Sequence, residues 1–349
     1  MIKRSAFTVF FCSVLMLQGQ YTDQINSNRP GASIGAFAVG KNIIQFEAGA
    51  AYRSYKHSGY NNATFGGKVG FFAVRWGFLA ETLELTYEGI YMHGNLTSNL
   101  TSVPNVQLQK GFTQNFIGLK YLIYDPFKKE KEVNVYSWKA NNGFKLRELI
   151  PAVSLTVGPN FNLGKNNTFS YGNVFNNLYR PLFYQNLNTT PDTEPFMHLR
   201  ATLATQSHFL GTWVFVTNFS YDRYLSDYPE KSYILTLTHT FHPLWSVYVE
   251  NQGIRSTLYK DTLFRAGAAY LLTDNIQIEA TLGSNIKDTP QILFVNAGVS
   301  YRLDFHKDYI SAEEKEMDAL KKGEKSAKKL IRKDSRGERK RNRNAKRRN

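Results

Sequence analysis

The chain has 349 residues, of which 14% are aromatic and 20% charged; its mean hydropathy is −0.39 and its formal net charge +15. No apolar run approaches the ~20 residues of a spanning helix, which excludes a helical membrane protein. The single cysteine, Cys12, lies in the first apolar run, so the chain beyond it offers neither an internal disulfide nor a thiolate metal site.

The opening residues, MIKRSAFTVFFCSVLMLQGQ, place Lys3 and Arg4 before the apolar run Ser5–Leu17, with Gly19 and Gln20 as a small or polar exit. That is the layout of a secretory signal peptide, expected over residues 1–20. Val9, Phe10 and Phe11 precede Cys12 where a lipoprotein site would carry small residues, so Cys12 is not read as lipidated. Residues 21–42 are expected to form a periplasmic segment ahead of the first strand.

From residue 43 the pattern has period two. IIQFEAGAAYRSY (43–55) sets Ile44, Phe46, Ala48, Ala50 and Tyr52 against Gln45, Glu47, Gly49, Ala51 and Arg53. Further strands are expected at 66–77, 82–94, 111–124, 147–157, 197–208, 211–223, 231–241, 245–254, 260–271, 275–284 and 291–305. With 43–55 this makes twelve, an even number, as a closed bacterial barrel requires. The connections FLAE, FL, HPL and TDN after even-numbered strands are short, whereas 95–110 and 158–196 after odd-numbered strands are long. That parity fits periplasmic turns and outer loops with both termini periplasmic. The basic segment 125–146 is the exception, a long insertion on the short-turn side.

The alternative of a soluble sandwich or lipocalin-like barrel would bury Gln, Glu, Arg and Thr in a small core, which is costly. The opposite face carries Trp76, Tyr87, Tyr91, Tyr121, Trp213, Tyr270 and Tyr301, suited to the aromatic girdles of a membrane barrel. The expected fold is therefore all-β: a twelve-stranded antiparallel transmembrane β-barrel over 43–305 in the outer membrane of a Gram-negative type of cell, with a basic, partly helical periplasmic tail.

Alternation turns the strand charges inward. Arg265, Glu279, Arg302, Glu47, Arg75 and Glu84 alternate in sign on neighbouring strands and are expected to form a belt of cross-strand ion pairs near the periplasmic end. Glu88, Lys120, His198, Arg200 and Glu250 are expected as further lumen groups. Such a belt either fills and stiffens the lumen or forms a constriction that selects solutes. The seven histidines are scattered, and no P-loop, HExxH or GxSxG motif occurs, so neither catalysis nor a cofactor is expected.

After Phe305 the alternation stops. Residues 306–349 hold 17 Lys/Arg and 8 Asp/Glu, a net +9, so most of the chain's excess charge lies in the tail. Ser311 and Glu314 form a capping-box pattern that opens a helix expected over about 311–333, followed by disorder. Lys328, Lys329, Arg332, Lys333, Arg339, Lys340, Arg341, Arg347 and Arg348 are the expected contacts to an anionic envelope partner: the cell wall, lipopolysaccharide phosphates or an acidic periplasmic protein. Export excludes nucleic acid as that partner.

Several stretches resemble a known family. Asn28-Arg29-Pro30-Gly31 precedes a first strand containing FEAG, RWGFLAETLEL (75–85) is similar to its hairpin, and GLKY (118–121) and RAGAAYLLTDNIQIEATLG (265–283) are similar to later elements. The family is the group of outer-membrane barrels labelled transporters of the meta-pathway of phenol degradation. The resemblance implies passive transport of small solutes, hydrophobic ones included. The competing expectation is a non-enzymatic accessory subunit of an outer-membrane assembly or secretion complex, docked through the tail and 125–146.

Overall fold

A computed structural model describes residues 25–28, 31–58, 62–99, 102–128, 136, 145–163, 196–226, 229–257 and 259–305. The expected signal peptide, most of the 125–146 insertion and the whole basic tail, with its expected helix and contacts, lie outside the described residues.

Twelve antiparallel strands close into one barrel: β1 (Ile43–His57), β2 (Ala63–Gly77), β3 (Leu83–Ser98), β4 (Asn105–Tyr124), β5 (Ala152–Phe161), β6 (Met197–Phe209), β7 (Trp213–Tyr224), β8 (Glu230–His242), β9 (Trp245–Arg255), β10 (Lys260–Thr273), β11 (Ile276–Asn285) and β12 (Gln291–Asp304). Each strand pairs with its sequence neighbours, and β12 pairs with β1 from Ile43↔Asp304 to Lys56↔Gln291. Closure leaves no strand edge, the condition for a sheet in lipid.

The strands form because every second residue meets a different medium. In β2, Phe65, Val69, Phe71, Ala73 and Arg75 are buried in the lumen, while Phe72 and Trp76 are exposed on the outer wall. Trp76, Trp245, Tyr270 and Tyr301 stand near the short-turn end, and Trp245 and Tyr270 pack with ring centroids 4.7 Å apart. Amphipathic rings at one level of the outer wall are what a membrane interface selects.

The strand boundaries differ most from expectation at the starts of β4 and β5. β4 begins at Asn105, six residues early, because Gln109 alternates inward before a bulge around Ile90/Tyr91 resets the register. β5 begins at Ala152 instead of residue 147, because Leu146–Leu149 forms a 3₁₀ turn ahead of Pro151. Proline lacks the N–H that would extend the ladder, and it biases the preceding residue away from helix, so the strand starts after it.

Candidate functional site: a lumen closed by its own N-terminal segment

The segment expected to lie in the periplasm runs instead inside the barrel. Ile25 N–H donates to Asp274 O (2.9 Å) at the β10–β11 turn. The chain then rises along β12, β1 and β11. Ser27 Oγ lies 2.6 Å from Ser300 Oγ and donates to Glu279 (3.2 Å), and Asn28 N–H donates to Glu47 (3.3 Å). At the tip, Ala32 and Ser33 N–H both donate to Glu250 at 3.1 Å. Asn218 grips Ile34 at both ends, accepting from its N–H (2.7 Å) and donating to its carbonyl (2.8 Å). The segment returns past Gln206, which accepts from Ala36 N–H (3.0 Å), and past Glu84, which accepts from Val39 N–H (2.9 Å).

This plug has almost no regular structure, so its backbone groups require partners from the wall. Inward Glu, Asn and Gln side chains supply them. The return arm is also held by packing: Phe37 sits 6.1 Å from Phe127 and 5.8 Å from His208, beside Ala36, Leu122 and Ala152. At its exit, Gly40 (φ 93°) passes so close to β2 that a Cβ on Gly77 would lie 1.7 Å from the Gly40 carbonyl oxygen. Only glycine fits at that crossing.

The expected charge belt is half realised. Arg75 bridges Glu84 (2.8 Å) and Glu47 (3.5 Å), all three almost fully buried, and its guanidinium also donates to the plug carbonyls of Asn26 (2.9 Å) and Phe37 (3.4 Å). Lys120 joins the group, its Nζ donating to Phe37 O at 2.6 Å. Arg265 faces the lumen, but its carboxylate partner is Glu250 (2.5 Å) on β9, and Gln252 also accepts from it. The register explains the change. Across β10–β11, Arg265 faces Gly283 while Glu279 faces Ala269, which sets the two charges four residues apart, or ~13 Å along the sheet. Glu279 meets Ser27 and Gln277, and Arg302 reaches Asp304 (3.0 Å).

The remaining predicted groups, Glu88, Arg200 and His198, form a second cluster across β3, β6 and β7. Arg200 pairs with Glu88 (2.7 Å) and lies over the Phe116 ring, 3.6 Å from its centroid. Fully buried His198 meets Asp222 at 2.9 Å. Above the plug tip is a chamber of about 200 Å³, lined by plug residues Gly31–Ile34 and by Arg53, Glu88, Arg200, Asp222, Arg265 and Phe294 among others.

Towards the long loops, the inward faces of β1–β3, β9, β10 and β12 change character. Tyr55, Phe65, Val69, Met92, Leu96, Ile254, Tyr259, Leu263, Ile292 and Phe294 form one buried apolar cluster inside the barrel. Alternation alone did not reveal this cluster, because near the long-loop ends apolar residues occupy both faces, as in FGGKVGFFAV.

The family model described as "Putative MetA-pathway of phenol degradation" matches residues 27–303, which include the plug from Ser27 onward and nearly the whole barrel. The chain belongs to this family. Among solved structures it is similar to an outer membrane channel from Pseudomonas putida F1, at 12% identity, covering 80% of this chain and 100% of that one with a TM-score of 0.44. It is also similar to the KdgM porin (11% identity, 74% and 99% coverage, TM-score 0.38) and to the CymD monoaromatic hydrocarbon channel (10%, 76% and 90%, TM-score 0.37). No curated protein matches the sequence. As a member of this family with a closed barrel and an apolar outer wall, the protein is an outer-membrane β-barrel.

Proposed function

We propose that this barrel is a channel for small solutes with an apolar body, and that the N-terminal plug must leave its seat for a solute to pass. The observation that carries the reading is the composition of the lumen along its axis. A polar plug fills the short-turn end, whereas towards the long loops the inward faces of β1–β3, β9, β10 and β12 carry an apolar cluster beside the polar-lined chamber. A molecule with an apolar body can partition onto the apolar cluster, enter the polar-lined chamber, and leave once the plug shifts. The family's association with phenol degradation supports a small aromatic solute. In this reading the short-turn end and both termini face the periplasm, and the long loops face outward.

The seat is built to release. The plug is held mainly by side chain–backbone hydrogen bonds, each of which contributes only about 0.5–1.5 kcal/mol net, or about 1.5–3 to a charged acceptor. Water entering the chamber can replace them one by one. The accessory-subunit reading would rest on the tail and the 125–146 insertion, whereas the described residues build a plugged lumen. The test is uptake of toluene and of sucrose by a porin-deficient Gram-negative host, with and without this protein. Faster toluene uptake with unchanged sucrose uptake is expected. No acceleration of either, or equal acceleration of both, would overturn the reading.

A further inference from the structure

The outer wall carries a charge pattern that the channel reading does not use. Among the described residues, the strand charges that face outward are all basic: Lys56, Lys68, Lys110, Lys231, Arg255 and Lys260 are exposed on the wall, whereas the strand carboxylates face the lumen. Three of the six stand side by side. Lys231 of β8 is directly opposite Arg255 of β9, which is directly opposite Lys260 of β10. Like charges placed opposite one another on a sheet repel, so the row is unfavourable unless an anion sits on it. The Lys231 Nζ lies 5.9 Å from the Tyr221 ring centroid, an attraction that fixes the side chain without neutralising it.

Directly below this row, towards the short-turn end, the wall is concave. Phe215, Leu235, Leu237, Val249, Phe264 and Ala266 line a groove of about 530 Å³. Leu235, Val249 and Phe264 lie four to six residues below the three cations on the same strands, so the groove begins ~13 Å beneath the charges. Ala266 keeps the floor low between the larger neighbours. A second basic row, Lys68–His93–Lys110 across β2–β4, lies outside the groove's lining and serves as an internal comparison.

The geometry points to a specific binding site for a phosphorylated glycolipid of the outer leaflet on the β7–β11 face, with its phosphate on Lys231, Arg255 and Lys260 and an acyl chain in the groove. Arg255 at the centre of the row offers a planar fork that matches two phosphate oxygens, and the lysines on either side add point charges. The lipid's polarity matches the wall's: anion above, hydrocarbon below. The site requires the long loops to face outward but does not depend on whether the lumen conducts.

The test is native mass spectrometry of the detergent-purified full-length protein, titrated with bisphosphorylated lipid A, with its fully dephosphorylated form, and with phosphatidylglycerol. One lipid A is expected to bind per barrel more tightly than either comparison lipid. Each removed cation is expected to weaken binding roughly fivefold, and Lys231→Gln/Arg255→Gln/Lys260→Gln together on the order of a hundredfold. Ala266→Trp, which fills the groove, should also remove tight binding, while Lys68→Gln/Lys110→Gln should leave it unchanged. A heat-modifiable gel shift confirms that each variant forms a barrel. Equal binding of phosphatidylglycerol, undiminished binding by the triple variant or by Ala266→Trp, or a dimer covering this face in place of lipid would each overturn the proposal.

Discussion

Glu250 is the residue on which the plug tip depends most. Its side chain is fully buried and accepts hydrogen bonds from Ala32 and Ser33 N–H (both 3.1 Å), Thr236 (3.0 Å) and Arg265 (2.5 Å). Glu250→Gln keeps the shape, removes the charge and leaves one acceptor oxygen for four donors. The two backbone contacts then fall from the charged-acceptor range to the neutral one, a loss of about 2 kcal/mol at the tip. Removing one partner of a buried ion pair costs about 3–5 kcal/mol, but Arg265 retains Gln252 and borders the chamber, so its share falls at or below that range. With 1.4 kcal/mol per tenfold, the open population of the tip should rise roughly thirtyfold. The sequence has no cysteine beyond Cys12, so Ser33→Cys supplies a single reporter thiol in the barrel. Its rate of modification by a small charged thiosulfonate reads the open fraction. We expect that rate to rise on the order of thirtyfold when Glu250→Gln is added, with the gel shift of the folded barrel unchanged. A rate within twofold of the Ser33→Cys parent would show that Glu250 does not hold the plug.

Other perturbations separate the parts of the lumen. Arg75→Met leaves Glu47 and Glu84 facing one another without their shared cation, so a stability loss of about 3–5 kcal/mol is expected as a lower gel-shift transition temperature; an unchanged transition would mean that the triad is solvated. Gly77→Ala should displace the return arm at Gly40 and speed labelling at Ser33→Cys, whereas the same change at Gly70, where a Cβ meets nothing within 4 Å, should not. Phe294→Ala removes a ring shared by the apolar cluster and the chamber, and is expected to let sucrose enter cells that also express a plug-deleted barrel variant (residues 25–40 removed) only when both changes are in the same molecule. Sucrose entry through the plug deletion alone would show that the apolar cluster is not a barrier.

The barrel was legible in the sequence because its wall is a local pattern. Each strand separates lipid from lumen, so Ile44, Phe46 and Ala48 alternate with Gln45, Glu47 and Gly49 whatever the rest of the chain does. The plug leaves no such trace. Residues 25–40 have no period, and their partners, Glu279, Glu47, Glu250, Asn218, Gln206 and Glu84, are scattered over more than 230 positions of the chain. One signal did point to it. Glu250 and Glu279 are inward carboxylates, and the N-terminal run GASIGAFAVG combines small residues with free backbone donors. Within the charge belt, the Arg265–Glu279 neighbourhood differs for a related reason: counting residues from the turns ignores the stagger between strands. Arg265 therefore met Glu250 across β9–β10, where the two are directly opposite, and not Glu279.

The central claim is that solute passes through the lumen only when the plug leaves it. Ser27 and Ser300 have side-chain oxygens 2.6 Å apart, one on the plug and one on β12, so Ser27→Cys/Ser300→Cys can lock the segment in place by a disulfide. Toluene uptake by cells carrying this double variant, measured oxidised and then reduced, tests the claim most directly. The account predicts uptake at the background rate when the lock is closed and wild-type uptake after reduction. Wild-type uptake through the oxidised, locked barrel would contradict it.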